Sequence, residues 1–154
     1  DETFMKAAAP LFSAPMADPF FSTQKRALLQ AFAQCPELRQ PSTAPERLVQ
    51  LRTYNSYTLE RNAAKIAMFE QGGEIALFRK CGMIPAFFAE AVAGDNLPNL
   101  TYMLAFDSKA AKDAAWNTFK AHPDWLKLRA DPLYKNTANK ITNIVLRPSK
   151  GSQL

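Results

Sequence analysis

The sequence predicts an α+β fold: an antiparallel sheet of four strands that carries its helices on one face. Three observations predict it. Two stretches with helical periodicity, residues 59–69 and an alanine-rich run from 108 to about 122, lie among four stretches of alternating or continuous apolar character. Their order along the chain is strand, helix, strand, strand, helix, strand. Each helical stretch is also long enough to carry the chain back to a strand running in the same direction.

The first strand is residues 47–54 (RLVQLRTY), where Val49, Leu51 and Thr53 alternate with Gln50, Arg52 and Tyr54. That period of two marks one apolar and one polar face. In 59–69, Ala63, Ile66 and Phe69 recur at three- and four-residue spacing, which predicts a helix with an apolar stripe. Gly72-Gly73 interrupts it, and a second apolar cluster (Ile75, Leu77, Phe78) leads to Gly82, a C-terminal cap. In 85–92, Phe88, Glu90 and Val92 alternate with Phe87, Ala89 and Ala91, the second strand. The turn 94–99 (GDNLPN) leads into a third, hydrophobic strand at 100–106. Asp107-Ser108 caps the second helix, and Pro123 stops it after His122. A short helical piece follows around 124–129. Residues 138–147 close the chain as a fourth strand, with Ile141 and Val145 on one side. This order is the split βαβ, or ferredoxin-like, arrangement βαββαβ.

Composition narrows the function by exclusion. The 154 residues carry 19 Lys+Arg and 14 Asp+Glu, a net charge of +5. Residues 1–45 are neutral, because Lys6, Lys25, Arg26 and Arg39 offset Asp1, Glu2, Asp18 and Glu37. The excess therefore lies in 46–154, in no cationic run longer than two, so no nucleic-acid partner is expected. Dispersed cations of this kind read as solvated faces. Two cysteines without a CxxC pair argue against a disulfide scaffold, and the single His122 excludes a site built from several histidines. No metal and no cofactor are expected. The apolar runs fall short of the roughly 20 residues that a membrane span needs.

A composition break falls near residue 45: the segment before it holds six of the 11 prolines and no glycine. Within it, 36–45 (PELRQPSTAP) reads as an extended linker. The run 25–33 (KRALLQAFA) fits either a helix begun at Asp18-Pro19 or a strand, since Ala27, Leu29 and Ala31 alternate with Leu28, Gln30 and Phe32. The chain starts at Asp1-Glu2 rather than at Met or a basic signal region, so it is expected to be a mature, truncated or proteolysed product.

The run Leu51-Arg-Thr-Tyr54, the segment Phe78-Arg-Lys-Cys-Gly82 and the strand Leu100-Thr-Tyr-Met-Leu-Ala-Phe-Asp107 together resemble the NIPSNAP family. Ala115-Trp-Asn-Thr-Phe119, Pro123-Asp-Trp125 and the closing Asn143-Ile-Val-Leu-Arg-Pro148 extend the likeness over about 46–149. The resemblance implies a dimeric α+β barrel, in which two ferredoxin-like sheets pack face to face. It also implies a bacterial-type member with two such domains in tandem. Residues 1–45 would then be a remnant of the preceding repeat plus a linker, with 46–154 the second domain. The expected partners are a second copy or a complementary chain carrying the missing first repeat. The family suggests an exported bacterial protein, with a mitochondrial location as the alternative. The function it implies is an interaction or assembly protein associating through its sheet face, with no assignable reaction. A cofactor-independent oxygenase-like or small-molecule-binding barrel is the alternative.

The candidate ligand site is the polar face of the first strand. With Val49 and Leu51 under the helices, Arg52 and Tyr54 point into the barrel, where Glu90 faces Arg52 and Tyr102 offers a hydroxyl. Arg52, Tyr54, Glu90 and Tyr102 are therefore the predicted ligand-binding residues; the competing role is a buried Arg52–Glu90 pair that fixes strand register. No catalytic residue is assigned. His122 reads as a helix-end cation, or else as the one histidine that a haem site requires. Trp116, Phe119, Trp125 and Leu128 read as core, Cys35 and Cys81 as inert thiols, and Asp107 as a helix cap.

Overall fold

In the computed structural model the chain runs α1 (Glu2–Phe12), β1 (Leu28–Ala31), β2 (Leu48–Asn55), α2 (Leu59–Glu70), α3 (Glu74–Lys80), β3 (Ile84–Ala93) and β4 (Asn99–Phe106). It continues through α4 (Lys109–Ala121), α5 (Pro123–Ala130), a 3-10 turn at Pro132–Tyr134 and β5 (Lys140–Leu146). The structure describes residues 1–39 and 41–152; Gln40 of the proline-rich stretch and positions 153–154 of the predicted second domain lie outside the described residues.

The sheet order is β1-β3-β4-β2-β5, and every neighbouring pair is antiparallel. Leaving out β1, this is the ferredoxin-like order that the sequence predicts. Strands linked through helices, β2 to β3 and β4 to β5, are kept apart by one intervening strand. Local chemistry sets the boundaries. Thr58 starts α2 by accepting the Arg61 amide proton on its side chain. Gly73 and Gly82 bracket α3 with φ of +81° and +80°, values that a Cβ disfavours. Ser108 alone caps α4, accepting from the Ala111 amide, while Asp107 accepts a hydrogen bond from the Ser42 hydroxyl. The cap assigned to Asp107 is thus its neighbour's.

Within 25–33, Leu28–Ala31 form a strand, and no helix starts at Asp18-Pro19. β1 pairs with the outer edge of β3, Leu29 opposite Ala91 and Ala31 opposite Ala89. Phe32 and Cys35 then enter the helix-side core, 4% and 6% exposed, so the packed unit extends upstream of the composition break. By contrast α1 buries no residue, and Phe4, Met5 and Phe12 on it are exposed.

Helices α2 to α4 and the sheet enclose an aromatic core. Phe69, Phe78, Phe88 and Tyr102 are fully buried, with Phe88 stacked on Tyr102 at 4.9 Å between ring centroids. The apolar stripe of α2 is rotated from the one the sequence suggests. Ala63 is exposed, whereas Asn62, Lys65, Met68 and Phe69 are buried. Lys65 can turn inward because Glu74 at the start of α3 meets it: Nζ and Oε2 are 2.9 Å apart, with both side chains almost wholly enclosed.

Candidate functional site

Pairing across the sheet decides which residues can act together. On β2 the helix-facing set is Leu48, Gln50, Arg52 and Tyr54, while Val49 and Leu51 belong to a separate cluster with Ala86, Met103 and Ala105 on the opposite face. This reverses the orientation expected from the sequence. The cause is that both faces of the sheet are apolar, so alternation on β2 alone does not say which face the helices cover. The helix-facing polar atoms are satisfied locally: Trp116 of α4 donates its Nε1–H to Gln50 Oε1 at 2.6 Å, and Gln50 donates to Asn143 Oδ1 at 2.8 Å.

Arg52 lies in one row of the sheet with Tyr102 and Phe88 on one side and Asn143 on the other. Its guanidinium carbon is 4.8 Å from the centroid of Trp116, 5.3 Å from that of Tyr54 and 6.0 Å from that of Tyr102. The predicted partner, Glu90, is not among its contacts. β4 runs between β2 and β3 and places Tyr102 between them; Glu90 instead accepts a hydrogen bond from Asn62 Nδ2 at 2.8 Å. Three of the four candidates, Arg52, Tyr54 and Tyr102, therefore converge, and Glu90 stands apart. Arg52 makes no ion pair among the described residues, and its Nε is enclosed without a hydrogen-bond partner.

Arg52 and Tyr54 form the floor of a cleft of about 1040 Å³, walled by Lys65 of α2, Trp116 and Lys120 of α4, Trp125 of α5, and Ile141 and Asn143 of β5, with Tyr102 buried beneath the floor. Tyr54 and Tyr102 join hydroxyl to hydroxyl at 3.0 Å. Burial raises both phenols, Tyr102 well above the usual tyrosine range, so each is held as a neutral hydroxyl. Burial also pushes the Glu74 carboxyl up, against the pull of Lys65. At the rim, hydrogen bonds from Lys109 and Lys112 hold Asp113 down at about 2. The carboxylates that line the cleft, Glu74 and Asp113, are thus engaged by lysines.

His122 ends α4 and caps α5, its Nδ1 accepting the Asp124 amide proton at 3.2 Å, and it does not line the cleft. It thus stands at the helix end expected from the sequence, as the C-cap of α4, and serves the start of α5 as well. Phe119 is buried core, and Trp125 and Trp116 pack against it from the cleft wall. Among the described residues no group of three or more His, Cys, Asp or Glu could hold a metal, and no helix is long and apolar enough to cross a membrane. Sequence reasoning missed Gln50, Lys65, Glu74 and Asn143. The available signal was a lysine spaced four residues before Phe69 on the same helical face, with an acid just after Gly72-Gly73.

The NIPSNAP family model matches residues 49–153. Comparison with curated proteins gives no match. Among solved structures, an uncharacterised NIPSNAP-like domain protein from Burkholderia xenovorans is 17% identical with a TM-score of 0.59, covering 70% of this chain and 89% of that one. A NIPSNAP family protein from Agrobacterium tumefaciens is 16% identical with a TM-score of 0.57, covering 70% and 97%. A second protein from that organism, described as NIPSNAP family with unknown function, is 18% identical with a TM-score of 0.56, covering 73% and 96%. At these identities the likeness is one of fold.

Proposed function

The chain belongs to the NIPSNAP family, and on that premise we propose that it is an assembly module that pairs its sheet face with a second ferredoxin-like sheet. One observation carries this. The sheet has two apolar faces, and α2, α3 and α4 pack on only one of them. On the other face Val49 and Met103 are already 4% and 7% exposed and Leu51 and Phe87 half-buried, while on β5 Ile144 and Leu146 remain 44% and 43% exposed. A face of that composition gains free energy when a like face covers it. The occupant is a sheet of the same kind, in a second copy or in the first repeat of a tandem chain. Residues 1–45 are read as the end of that repeat. β1, which lies outside the βαββαβ order, and α1, which buries nothing, support this reading.

Leu51 sits between Met103 and Ile144 on this face, and introducing a charge there tests the reading. Leu51→Glu should weaken self-association at least about thirtyfold, because a carboxylate would have to lose its water on pairing. Light scattering on the size-exclusion eluate reads this as a shift from an assembled species to the monomer. A parent chain that is monomeric at all accessible concentrations, with no complementary chain co-purifying, would sink the proposal.

A second reading is favoured by a separate observation, the unpaired Arg52 at the floor of the cleft. On this reading the domain also binds a small molecule beneath its helices.

A further inference from the structure

We infer that the cleft beneath the helices takes a small organic anion with a flat apolar body, an aromatic carboxylate, whose charge docks on Arg52. The inference rests on the small-molecule reading above and names its ligand class. The lining carries Arg52, Lys65, Lys112, Lys120 and Arg129 against Glu74 and Asp113, five cations to two anions, a surplus of three. The surplus is not evenly shared. Lys65 is matched by Glu74 at 2.9 Å, and Lys112 by Asp113 at 2.6 Å. Arg52 is the inner cation without an acid. It is flanked by ring faces, which attract a cation, and by the Tyr54 hydroxyl, while its Nε is enclosed without an acceptor.

A half-buried guanidinium in that state is complementary to a carboxylate, whose two oxygens match the spacing of its donors. The walls specify the rest of the ligand. Tyr54, Trp116, Phe119 and Trp125 line the cleft, and a flat ring system can lie against them, whereas a compact inorganic anion would leave that area wet. The geometry also fixes Arg52 in advance. Trp116 is tied to Gln50, and Gln50 to Asn143, so the platform under the guanidinium is held before any ligand arrives. The neutral Tyr54 and Tyr102 hydroxyls add no negative charge that would repel it.

The test is isothermal titration calorimetry of the full chain with 2-naphthoate and with its neutral counterpart 2-naphthamide. The parent should bind naphthoate at least about tenfold more tightly than the amide, the scale of one charge-assisted contact. Arg52→Met should abolish that preference, so that acid and amide bind with equal affinity. Arg52→Lys keeps the charge but loses the fork, so it should lower naphthoate affinity several-fold; it serves also if the Met variant does not fold. Equal binding of acid and amide by the parent would overturn the ligand class and leave small-molecule binding standing. Binding of neither probe would overturn both.

Discussion

Replacing Lys65 with Met is expected to cost about 3–5 kcal/mol of folding stability at neutral pH, enough to unfold much of a domain whose whole stability is of the order of 5–15 kcal/mol. The reason is Glu74. Its carboxylate is 2% exposed and lies 2.9 Å from Lys65 Nζ, and without that ammonium it would be a buried charge with no partner. The pH dependence has a definite sign. Burial already raises the Glu74 carboxyl above its ordinary value, and losing Lys65 raises it further. The folded state then holds a proton more tightly than the unfolded state does. The penalty is therefore absent below the unfolded value and grows as pH rises through the folded one. Urea titrations at pH 7 and pH 5 should show the larger loss at pH 7. The double variant Lys65→Met, Glu74→Leu should recover most of it. A single variant within about 1 kcal/mol of the parent at pH 7 would show that the pair carries no structural weight.

Phe78→Ala is expected to be of similar size, about 3–5 kcal/mol, through a different mechanism. Phe78 is fully buried where helix, sheet and α4 meet. Its ring centroid lies 4.8 Å from Phe119, 5.9 Å from both Tyr102 and Trp116, and 6.1 Å from both Phe69 and Phe88. Removing it leaves a void lined by rings too rigid to collapse into it. Two of those rings, Tyr102 and Trp116, also flank the Arg52 guanidinium, so fold and cleft should loosen together. The urea midpoint should fall with little change in slope. A loss below about 1 kcal/mol would mean that the core repacks around the gap.

The comparison of sequence and structure shows where periodicity stops informing. The elements were legible because their boundaries are local: Gly73, Gly82, Ser108 and Pro123 each act within a turn of themselves. Which face of β2 meets the helices was not local. Gln50 and Arg52 read in sequence as a polar face turned away from the helices, yet each finds a partner on the helix side, Gln50 in Trp116 and Asn143, Arg52 in a ring stack. The stripe on α2 misled for the same reason, since a buried lysine is read as exposed until its acid is placed beside it. Arg52, Tyr54 and Tyr102 were legible as a group because register brings them together on the same side of adjacent strands. Glu90 was misassigned because sequence did not show that β4 would lie between it and Arg52.

The short strand β1 has a further consequence, one of protection. It occupies the backbone groups along one side of β3, and just beyond it the Phe32 and Arg39 amides donate to the carbonyls of Phe88 and Ala86. β3 reads IPAFFAEAVA, with one charge in ten residues, and an uncovered edge of that kind is a template for another chain's strand. On the far side of the sheet, β5 starts with Lys140 and is followed by Arg147, charges that discourage the same event. A protease cut in the proline-rich stretch after β1 would let this cover leave. Fibrous or amorphous precipitation, followed by light scattering, should then set in while the rest of the fold is still intact.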